Sequence, residues 1–236
     1  MREKITRCKL CRLSESRQYA VPPEGDEQAR IMIIAQAPGR EENRQGKMFL
    51  GKSGRVLNDL FDQIGLTRNQ VYMTNLLKCF LPRCRKPRQD EIDTCHVYLG
   101  EEIRIVNPEL IVPLGYHPVK HIFHFYNLNI PNRLQFSTLF GKLKVAGNKK
   151  ILPLRHPASV VHNSVPFETL KENYNKINPI MQTCKWYPVC PMKRYYEQGK
   201  LEKDWIDHYC KGDLESCERY RMEENHIPHP DHMLPD

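Results

Sequence analysis

The nine cysteines are the residues whose type and spacing suggest chemistry most directly. Cysteines in a chain with no secretory signal favour metal ligation over disulfides. The first group has a close pair, Cys8 and Cys11, and two distant members, Cys79 and Cys95, while Cys84 is left over. A zinc site usually takes two close pairs, whereas an iron–sulfur cluster accepts irregular spacing. We therefore predict an iron–sulfur cluster on these four thiols, with buried, metal-free thiols as the alternative.

The second group of cysteines lies in a segment of different character. Its members are Cys184, Cys190, Cys210 and Cys217, which also lack a short zinc-like pair. Residues 184–236 are acidic, with 8 Lys and Arg against 11 Asp and Glu. A segment of about 55 residues buries little apolar surface by itself, so a bound metal would stabilise it. We predict a main domain over 1–181 and a small module over 182–236 that holds a second iron–sulfur cluster or, alternatively, zinc.

Polar residues that follow predicted strands form another candidate site. Four short apolar segments are typical of buried strands, and helical periodicity lies between them; they are 31–35, 71–74, 110–114 and 151–154. This alternation predicts an α/β fold with a central, mainly parallel four-stranded sheet. Asn75, Gly115 and the segments 35–39 and 155–159 follow the strands. Because ligands bind beyond the carboxyl ends of parallel strands, we expect these residues to meet in one cleft.

The charge of the chain favours a polyanionic partner. The sequence has 36 Lys and Arg against 28 Asp and Glu, a net charge of +8, and its C-terminal segment is acidic. Basic side chains that contact phosphates release counterions, which favours binding to nucleic acid. No apolar run approaches the roughly 18 residues that a membrane span needs, and the N-terminus lacks the apolar core of a secretory signal. We expect a cytoplasmic protein with no membrane partner.

One motif suggests a different chemistry. Residues 46–53 fit the P-loop pattern G-x-x-x-x-G-K-S, which cradles nucleotide phosphates. A P-loop follows its strand directly, whereas the preceding predicted strand ends at Ala35. A nucleotide hydrolase is therefore the less favoured alternative. Lys52 and Ser53, at the start of a predicted helix, are instead candidates for contact with a nucleic-acid phosphate.

Several motifs, in this order, resemble those of the iron–sulfur, family-4 uracil-DNA glycosylases. They are the Cys8/Cys11 and Cys79/Cys95 pairs, AQAPGREENRQGKMFLGKSG over 35–54, TNLLKC over 74–79 and HPAS over 156–159. The resemblance extends to about residue 180. It implies a three-layer α/β/α sandwich, a four-iron cluster and hydrolytic removal of uracil from DNA in base excision repair. The expected enzyme is a monofunctional, nucleoid-associated monomer whose partner is uracil-containing DNA.

The chemistry of three side chains agrees with uracil excision. The base must leave the stack and enter a pocket that identifies it. Phe49 offers a ring on which the base can lie, and the Asn75 carboxamide complements uracil N3–H and O4. Negative charge develops on the departing base, so a donor to uracil O2 lowers the barrier. His156 is the candidate donor, and the backbone N–H groups of Gln36 and Ala37 could add to it.

The remaining candidates leave alternatives open. Glu42 aligns with an acidic residue of the family and would either orient the attacking water or exclude a 5-methyl group. Ala37 stands where many uracil glycosylases have an aspartate, so no strong base is evident. Ala35 and Gln36 replace the family's Gly-Glu, which motivates a second hypothesis, a non-catalytic nucleic-acid-binding or damage-sensing protein. Further DNA contacts are expected from Arg155, Val160 and Val161, the two valines as an apolar wedge.

Overall fold

The chain forms two compact units, Met1–Tyr174 and Asn175–Asp236. The computed structural model describes residues 1–147, 149–181, 184, 186, 187, 189–210, 214 and 216–235. The first unit ends before the predicted boundary at 181, and residue 182, with which the predicted module begins, lies outside the described residues. In the described part of the chain, no helix has both the length and the apolar character needed to cross a membrane.

A mixed six-stranded sheet forms the centre of the first unit. The strands are β1 (Glu24–Gly25), β2 (Ile31–Ala35), β3 (Val71–Asn75), β4 (Leu110–Pro113), β5 (Lys144–Ala146) and β6 (Lys149–Ile151). Their order is β1-β3-β2-β4-β6-β5, with the central four parallel and the two edge strands antiparallel to their neighbours. The predicted four-stranded sheet is therefore wrong in strand number. The edge strands are two and three residues long and lack an apolar run, which hides them from sequence patterns.

The fourth predicted strand is also displaced. It was expected over 151–154, but β6 ends at Ile151 and only an isolated parallel bridge joins Leu114 to Leu154. Pro153 has no N–H to contribute to the ladder. The strand begins instead at Lys149, whose ammonium donates to the carbonyl of Pro108 at 2.8 Å. Such a satisfied, buried lysine gives no apolar signal in the sequence.

Helices cover both faces of the sheet in the first unit. They are α1 (Arg2–Thr6), α2 (Leu13–Ser16), α3 (Arg40–Gln45), α4 (Lys52–Gln63), α5 (Gln89–Val106), α6 (Tyr116–Phe125), α7 (Ala158–Val161) and α8 (Phe167–Tyr174), with 3₁₀ turns at Arg68–Gln70, Pro82–Cys84 and Phe136–Leu139. Met32 and Ile34 share one apolar cluster with Leu99 of α5 and Ile122 of α6. Ile33 alternates with them along β2 and is also fully buried. A sheet buried on both faces is the arrangement expected of an α/β fold.

The second unit is helical and has a small core. Its elements are α9 (Ile177–Met181), α10 (Pro191–Glu197), α11 (Lys203–Trp205), the π-helical turn Ile206–Cys210 and α12 (Glu218–Glu224). Met192, Ile206 and Cys210 form its buried apolar cluster. An apolar cluster of three residues, as found among the described residues of this unit, stabilises it only weakly.

Candidate active site

The carboxyl ends of parallel strands meet at one edge of the sheet. Ala35 at the end of β2 pairs with Asn75 at the end of β3. The N–H of Gly115, after β4, donates to the carbonyl of Leu154 at 2.9 Å. A Cβ on Gly115 would lie 3.6 Å from the Cβ of His156. The segments that carry Asn75 and His156 therefore end at the same edge.

The Phe49 ring faces the ring of His156 at this edge. The ring centroids are 6.3 Å apart and the planes meet at 29°. Phe49 has a φ of 51°, a left-handed conformation that bulky residues rarely adopt. Gly54 permits α4 to approach the main chain of Phe49 closely, because a Cβ there would lie only 1.9 Å from the Phe49 carbonyl oxygen. The close approach of α4 to the preceding loop thus sets the position of the ring.

Glu42 holds the loop on the C-terminal side of Phe49. Its carboxylate is 8 % exposed, and Oε1 accepts hydrogen bonds from the N–H groups of Leu50 at 2.9 Å and Gly51 at 3.0 Å. Its other oxygen, Oε2, lies 2.5 Å from where a Cβ on Gly39 would stand. Both loop contacts use one oxygen, so the two carboxylate oxygens have different surroundings. This anchoring of the loop was not predicted from the sequence.

A second anchor holds the loop on the N-terminal side of Phe49. The N–H of Met48 donates to Glu24 Oε1 at 2.7 Å, and the carbonyl of Met48 accepts from Arg68 Nη2 at 2.8 Å. Arg68 and Glu24 are themselves paired at 3.0 Å. Sequence reasoning missed both residues, because 44 positions separate them and neither belongs to a local motif.

The Asn75 side chain is buried beside Met48. It is 3 % exposed, and Nδ2 donates to the Met48 sulfur at 3.0 Å. A thioether sulfur accepts hydrogen bonds and cannot donate them, so this contact turns Nδ2 rather than Oδ1 towards Met48. The main-chain carbonyl of Asn75 accepts from Lys78 Nζ at 2.8 Å. Both ends of the residue are therefore held in place.

The His156 imidazole is a neutral donor. Its Nδ1 accepts a hydrogen bond from the N–H of Ala158 at 3.0 Å, so the ring proton lies on Nε2. Burial lowers the pKa of His156 to about 4, although the charge of Glu42 acts in the opposite direction. The ring is thus uncharged near neutral pH and has one N–H to offer. A neutral donor suits the stabilisation of negative charge that develops on a bound ligand.

The predicted backbone donors follow β2 directly. The carbonyl of Gln36 accepts from the N–H of Leu77 at 3.0 Å, which ties the turn after β2 to the turn after β3. Ala37 is partly buried against the core. Both residues lie next to the Asn75 end of the edge, since Ala35 pairs with Asn75.

The predicted DNA-contacting residues lie on two helices and in one loop of the first unit. Lys52 and Ser53 form the first turn of α4, which begins after Gly51. Val160 and Val161 lie at the end of the short α7. The Arg155 guanidinium stacks on the Phe140 ring at 4.8 Å, an arrangement that fixes its direction.

The four cysteines of the first group line one small cavity in the first unit. They are Cys8, Cys11, Cys79 and Cys95. Cys84 is exposed and does not line this cavity. Three N–H groups point at sulfur atoms: Arg17 Nη1 at Cys79 (2.9 Å), the Lys78 main chain at Cys95 (3.4 Å) and the Leu10 main chain at Cys8 (3.5 Å). Such N–H···S contacts stabilise cluster thiolates.

At least two of these four thiols must lose a proton before they can bind a metal. Burial raises the pKa of Cys95 to about 11 and also raises that of Cys79, which Arg17 partly offsets. A metal must therefore displace thiol protons when it binds. Within the described ranges, no three His, Cys, Asp or Glu side chains converge as a single metal ion would require. Four thiols that line one cavity, with N–H donors on three of their sulfur atoms, are a donor set that an iron–sulfur cluster can take.

The second group of cysteines lines a larger cavity in the second unit. Cys184, Cys190, Cys210 and Cys217 all contribute to it, and its volume is about 830 Å³. The N–H of Tyr220 donates to Cys217 Sγ at 3.4 Å. Burial raises the pKa values of Cys184 and Cys217, and the nearby Cys190 raises them further. All four cysteines thus line the same cavity. At the same cavity, His229 Nε2 lies 3.1 Å from Glu223 Oε1.

The loop between Cys79 and Cys95 is rich in Lys and Arg, and Glu91 holds part of it in place. Arg85 is bound to the buried carboxylate of Glu91, so its guanidinium is committed within the protein. Glu91 also accepts from the main-chain N–H of Arg88 at 2.9 Å. This loop is therefore braced by Glu91 at the start of α5.

Together these side chains can recognise a planar heterocycle. An aromatic ring, a carboxamide with both donor and acceptor, and a neutral imidazole N–H lie around the edge of the sheet. Binding of a base by stacking and edge contacts is the chemistry that this set supports best.

Comparison with known proteins gives the family. The model of the uracil DNA glycosylase superfamily matches residues 22–181. The type-4 uracil-DNA glycosylase of Sulfurisphaera tokodaii is 36 % identical over 210 residues, which cover 87 % of this chain and 92 % of the relative. Those of Saccharolobus solfataricus and Archaeoglobus fulgidus are 34 % and 32 % identical, cover 77 % and 75 % of this chain, and are themselves covered over 85 % and 89 %. The chain therefore belongs to the uracil DNA glycosylase superfamily and, within it, to the type-4 uracil-DNA glycosylases.

Proposed function

We propose that this protein removes uracil from DNA by hydrolysing the N-glycosidic bond, as a monofunctional enzyme of base excision repair. The observation that carries the proposal is the half-buried, neutral His156 ring facing Phe49 at the strand edge that ends in Asn75. The name of the relatives, type-4 uracil-DNA glycosylase, supports the same activity.

Recognition of the base follows from Phe49 and Asn75. An extruded pyrimidine lies on the Phe49 ring, a contact worth about 1–3 kcal/mol. Asn75 Oδ1 accepts from uracil N3–H, and the second proton of Nδ2 donates to O4, while the first stays on Met48. Cytosine has a donor at position 4 and an acceptor at N3, so it opposes this arrangement. The carboxamide therefore selects uracil.

Departure of the base is assisted by His156. Its Nε2–H donates to uracil O2, where negative charge grows as the glycosidic bond breaks. The contact between Nδ1 and the Ala158 N–H keeps the proton on the correct nitrogen. The N–H groups of Gln36 and Ala37 supplement this donor. One such donor contributes about 100- to 1000-fold in rate.

We assign the carboxylate in this chemistry to Glu42, because its charge acts on His156. Oε1 is occupied by the loop N–H groups, which leaves Oε2 to orient the attacking water. In Glu42→Gln the loop contacts can remain while the charge is lost. We expect uracil excision to fall in this variant. Excision of thymine by it would instead assign exclusion of the 5-methyl group to Glu42.

The first unit is proposed to hold one [4Fe-4S] cluster on Cys8, Cys11, Cys79 and Cys95. The shared cavity and the three N–H···S contacts support this assignment. A bound cluster would join α5, which carries Cys95, to the loop after β3, so it would stabilise the fold. Redox chemistry is not needed for hydrolysis.

The second unit is proposed to hold a second centre on Cys184, Cys190, Cys210 and Cys217. The common cavity of the four thiols supports a metal, and an iron–sulfur cluster is preferred to zinc. We expect iron analysis to give about eight iron atoms per chain in the wild type. The double variant Cys184→Ser/Cys217→Ser should contain about four. About four irons and one zinc would support the zinc alternative.

DNA binding is assigned to the first turn of α4, Arg155 and α7. Lys52 and Ser53 contact a phosphate, and Val160 and Val161 fill the space that the base vacates, which offsets part of the unstacking free energy. We expect a monomer that acts at the nucleoid in the cytoplasm.

One assay tests the proposal. A duplex with a single uracil is incubated with the enzyme and then cleaved at abasic sites by alkali. Product that appears with the wild type and is lost in His156→Ala supports excision. Binding without product would support the non-catalytic alternative, and release of phosphate from ATP would support nucleotide hydrolysis.

A further inference from the structure

We propose that Lys78 is a positioning residue for uracil recognition, and that it holds the main chain of Asn75 in place from inside the core with Glu102 as its anchor. The inference rests on the proposed function. Lys78 is absent from the chemistry described above. Its ammonium group is nevertheless buried directly behind the residue that identifies the base.

The Lys78 ammonium has three acceptors and almost no solvent. Its side chain is 1 % exposed, and Nζ donates to the Asn75 carbonyl at 2.8 Å, Thr74 Oγ1 at 2.6 Å and Glu102 Oε2 at 2.8 Å. All three N–H bonds of an ammonium are thus satisfied. Two of the acceptors belong to the last two residues of β3, so Lys78 folds back on the strand that ends in Asn75.

Glu102 determines where the ammonium lies. Its side chain is 0 % exposed, and Oε2 also accepts from Thr74 Oγ1 at 2.8 Å. Its Oε1 is buried without a hydrogen-bond partner among the described residues. The carboxylate is therefore committed to the Lys78 and Thr74 side. Loss of either charge would leave the other buried and unpaired, which is strongly unfavourable.

Buried ion pairs often add little to the stability of a protein, so the Lys78–Glu102 pair is better explained by its effect on the position of Asn75. Apolar side chains of similar volume often replace such pairs without loss of stability. They cannot donate to a carbonyl. The contact of Lys78 with Asn75 is therefore the part of this network that an apolar core could not reproduce.

The same helix links this network to the cysteine cavity. Cys95 and Glu102 are seven residues apart on α5 and so lie on one face of it. The Lys78 N–H contacts Cys95 Sγ, and its ammonium contacts Glu102. The loop after β3 is thus held to α5 at two points, by the main chain and by the side chain of Lys78. Because Lys78 also binds the Asn75 carbonyl, the packing of α5 affects the position of Asn75.

The test uses a double variant that keeps the core apolar and filled. In the full-length protein, Lys78→Met/Glu102→Leu removes both charges together, so the melting temperature should fall no further than in a variant that loses one ammonium donor to a buried carbonyl, and the iron content should stay near the wild-type value. Release of the Asn75 main chain should reduce the single-turnover rate of uracil excision about 100-fold. Inhibition by free uracil, which reports the base pocket without DNA, should weaken about tenfold.

Lys149→Met is the matched control. Lys149 is also buried, and it also donates to a main-chain carbonyl, that of Pro108, but at the opposite end of β4. Its loss should lower the melting temperature and leave the excision rate and uracil inhibition unchanged. A purely structural role of Lys78 predicts the same pattern for the double variant, which would overturn the proposal.

Two further results keep the outcome clear. If the double variant does not fold, Glu102→Gln replaces it: a slower rate together with weaker uracil inhibition supports positioning, and wild-type values of both refute it. If the wild type itself does not excise uracil, the proposed function fails. If it does, and the variants equal it, only the role of Lys78 fails.

Discussion

Replacing Gly54 with alanine should inactivate the enzyme through the position of one ring. The new Cβ would lie 1.9 Å from the Phe49 carbonyl oxygen and 2.3 Å from its carbonyl carbon. Ordinary van der Waals contact begins at 3.4 Å, and main-chain atoms cannot rotate away as the end of a side chain can. The Phe49 loop must therefore move by more than 1 Å relative to α4.

The anchors of the loop turn this movement into lost activity. Glu42 binds Leu50 and Gly51 on one side, and Glu24 with Arg68 binds Met48 on the other. A shift of the loop breaks some of these contacts, at an expected cost of about 1–3 kcal/mol in unfolding free energy. A displacement of this size at a binding surface reduces the rate about 100-fold.

Single-turnover excision of uracil measures the effect, with thermal unfolding as the companion measurement. Gly100→Ala is the matched control: it lies within α5, and the nearest atom to a new Cβ is 3.8 Å away. This control should gain up to about 1 kcal/mol and keep its rate. A Gly54→Ala enzyme with the wild-type rate would refute the argument that the loop places Phe49 for catalysis.

The remaining predictions concern the base contacts and the cysteines. Asn75→Asp should lose at least about 100-fold in uracil excision, because a carboxylate repels O4; an unchanged rate would exclude the proposed edge contact. Because burial lowers the pKa of His156 from 6.5 to about 4, the folded protein binds fewer protons than the unfolded chain between these values. Its unfolding free energy should therefore fall by about 3 kcal/mol as pH drops from 6.5 to 4, and His156→Phe should lack this component in pH-dependent thermal melts. Cys79→Ser should lower iron content and melting temperature together, and wild-type iron would exclude Cys79 as a ligand.

Local sequence patterns predicted the parallel centre of the sheet well and its edges poorly. The apolar segments at 31–35, 71–74 and 110–114 match β2, β3 and β4 within one residue. Strands buried on both faces need continuous apolar runs, which are visible in the sequence. β1 and β5 lie at the edges, where polar residues are tolerated and main-chain hydrogen bonds decide the pairing. Such pairing depends on a neighbour that local patterns do not reveal.

The sequence by itself determined which chemical groups are present and in what order: an aromatic residue, a carboxamide at a strand end, a histidine before a proline, and spaced cysteines. Only the tertiary structure decided how they are held. Met48 is held by Glu24 and Arg68, which are distant from it in the sequence. Leu50 is held by the buried Glu42, and Asn75 is held by the buried Lys78. Buried polar groups need partners, and which partners they find depends on packing between elements rather than on local sequence.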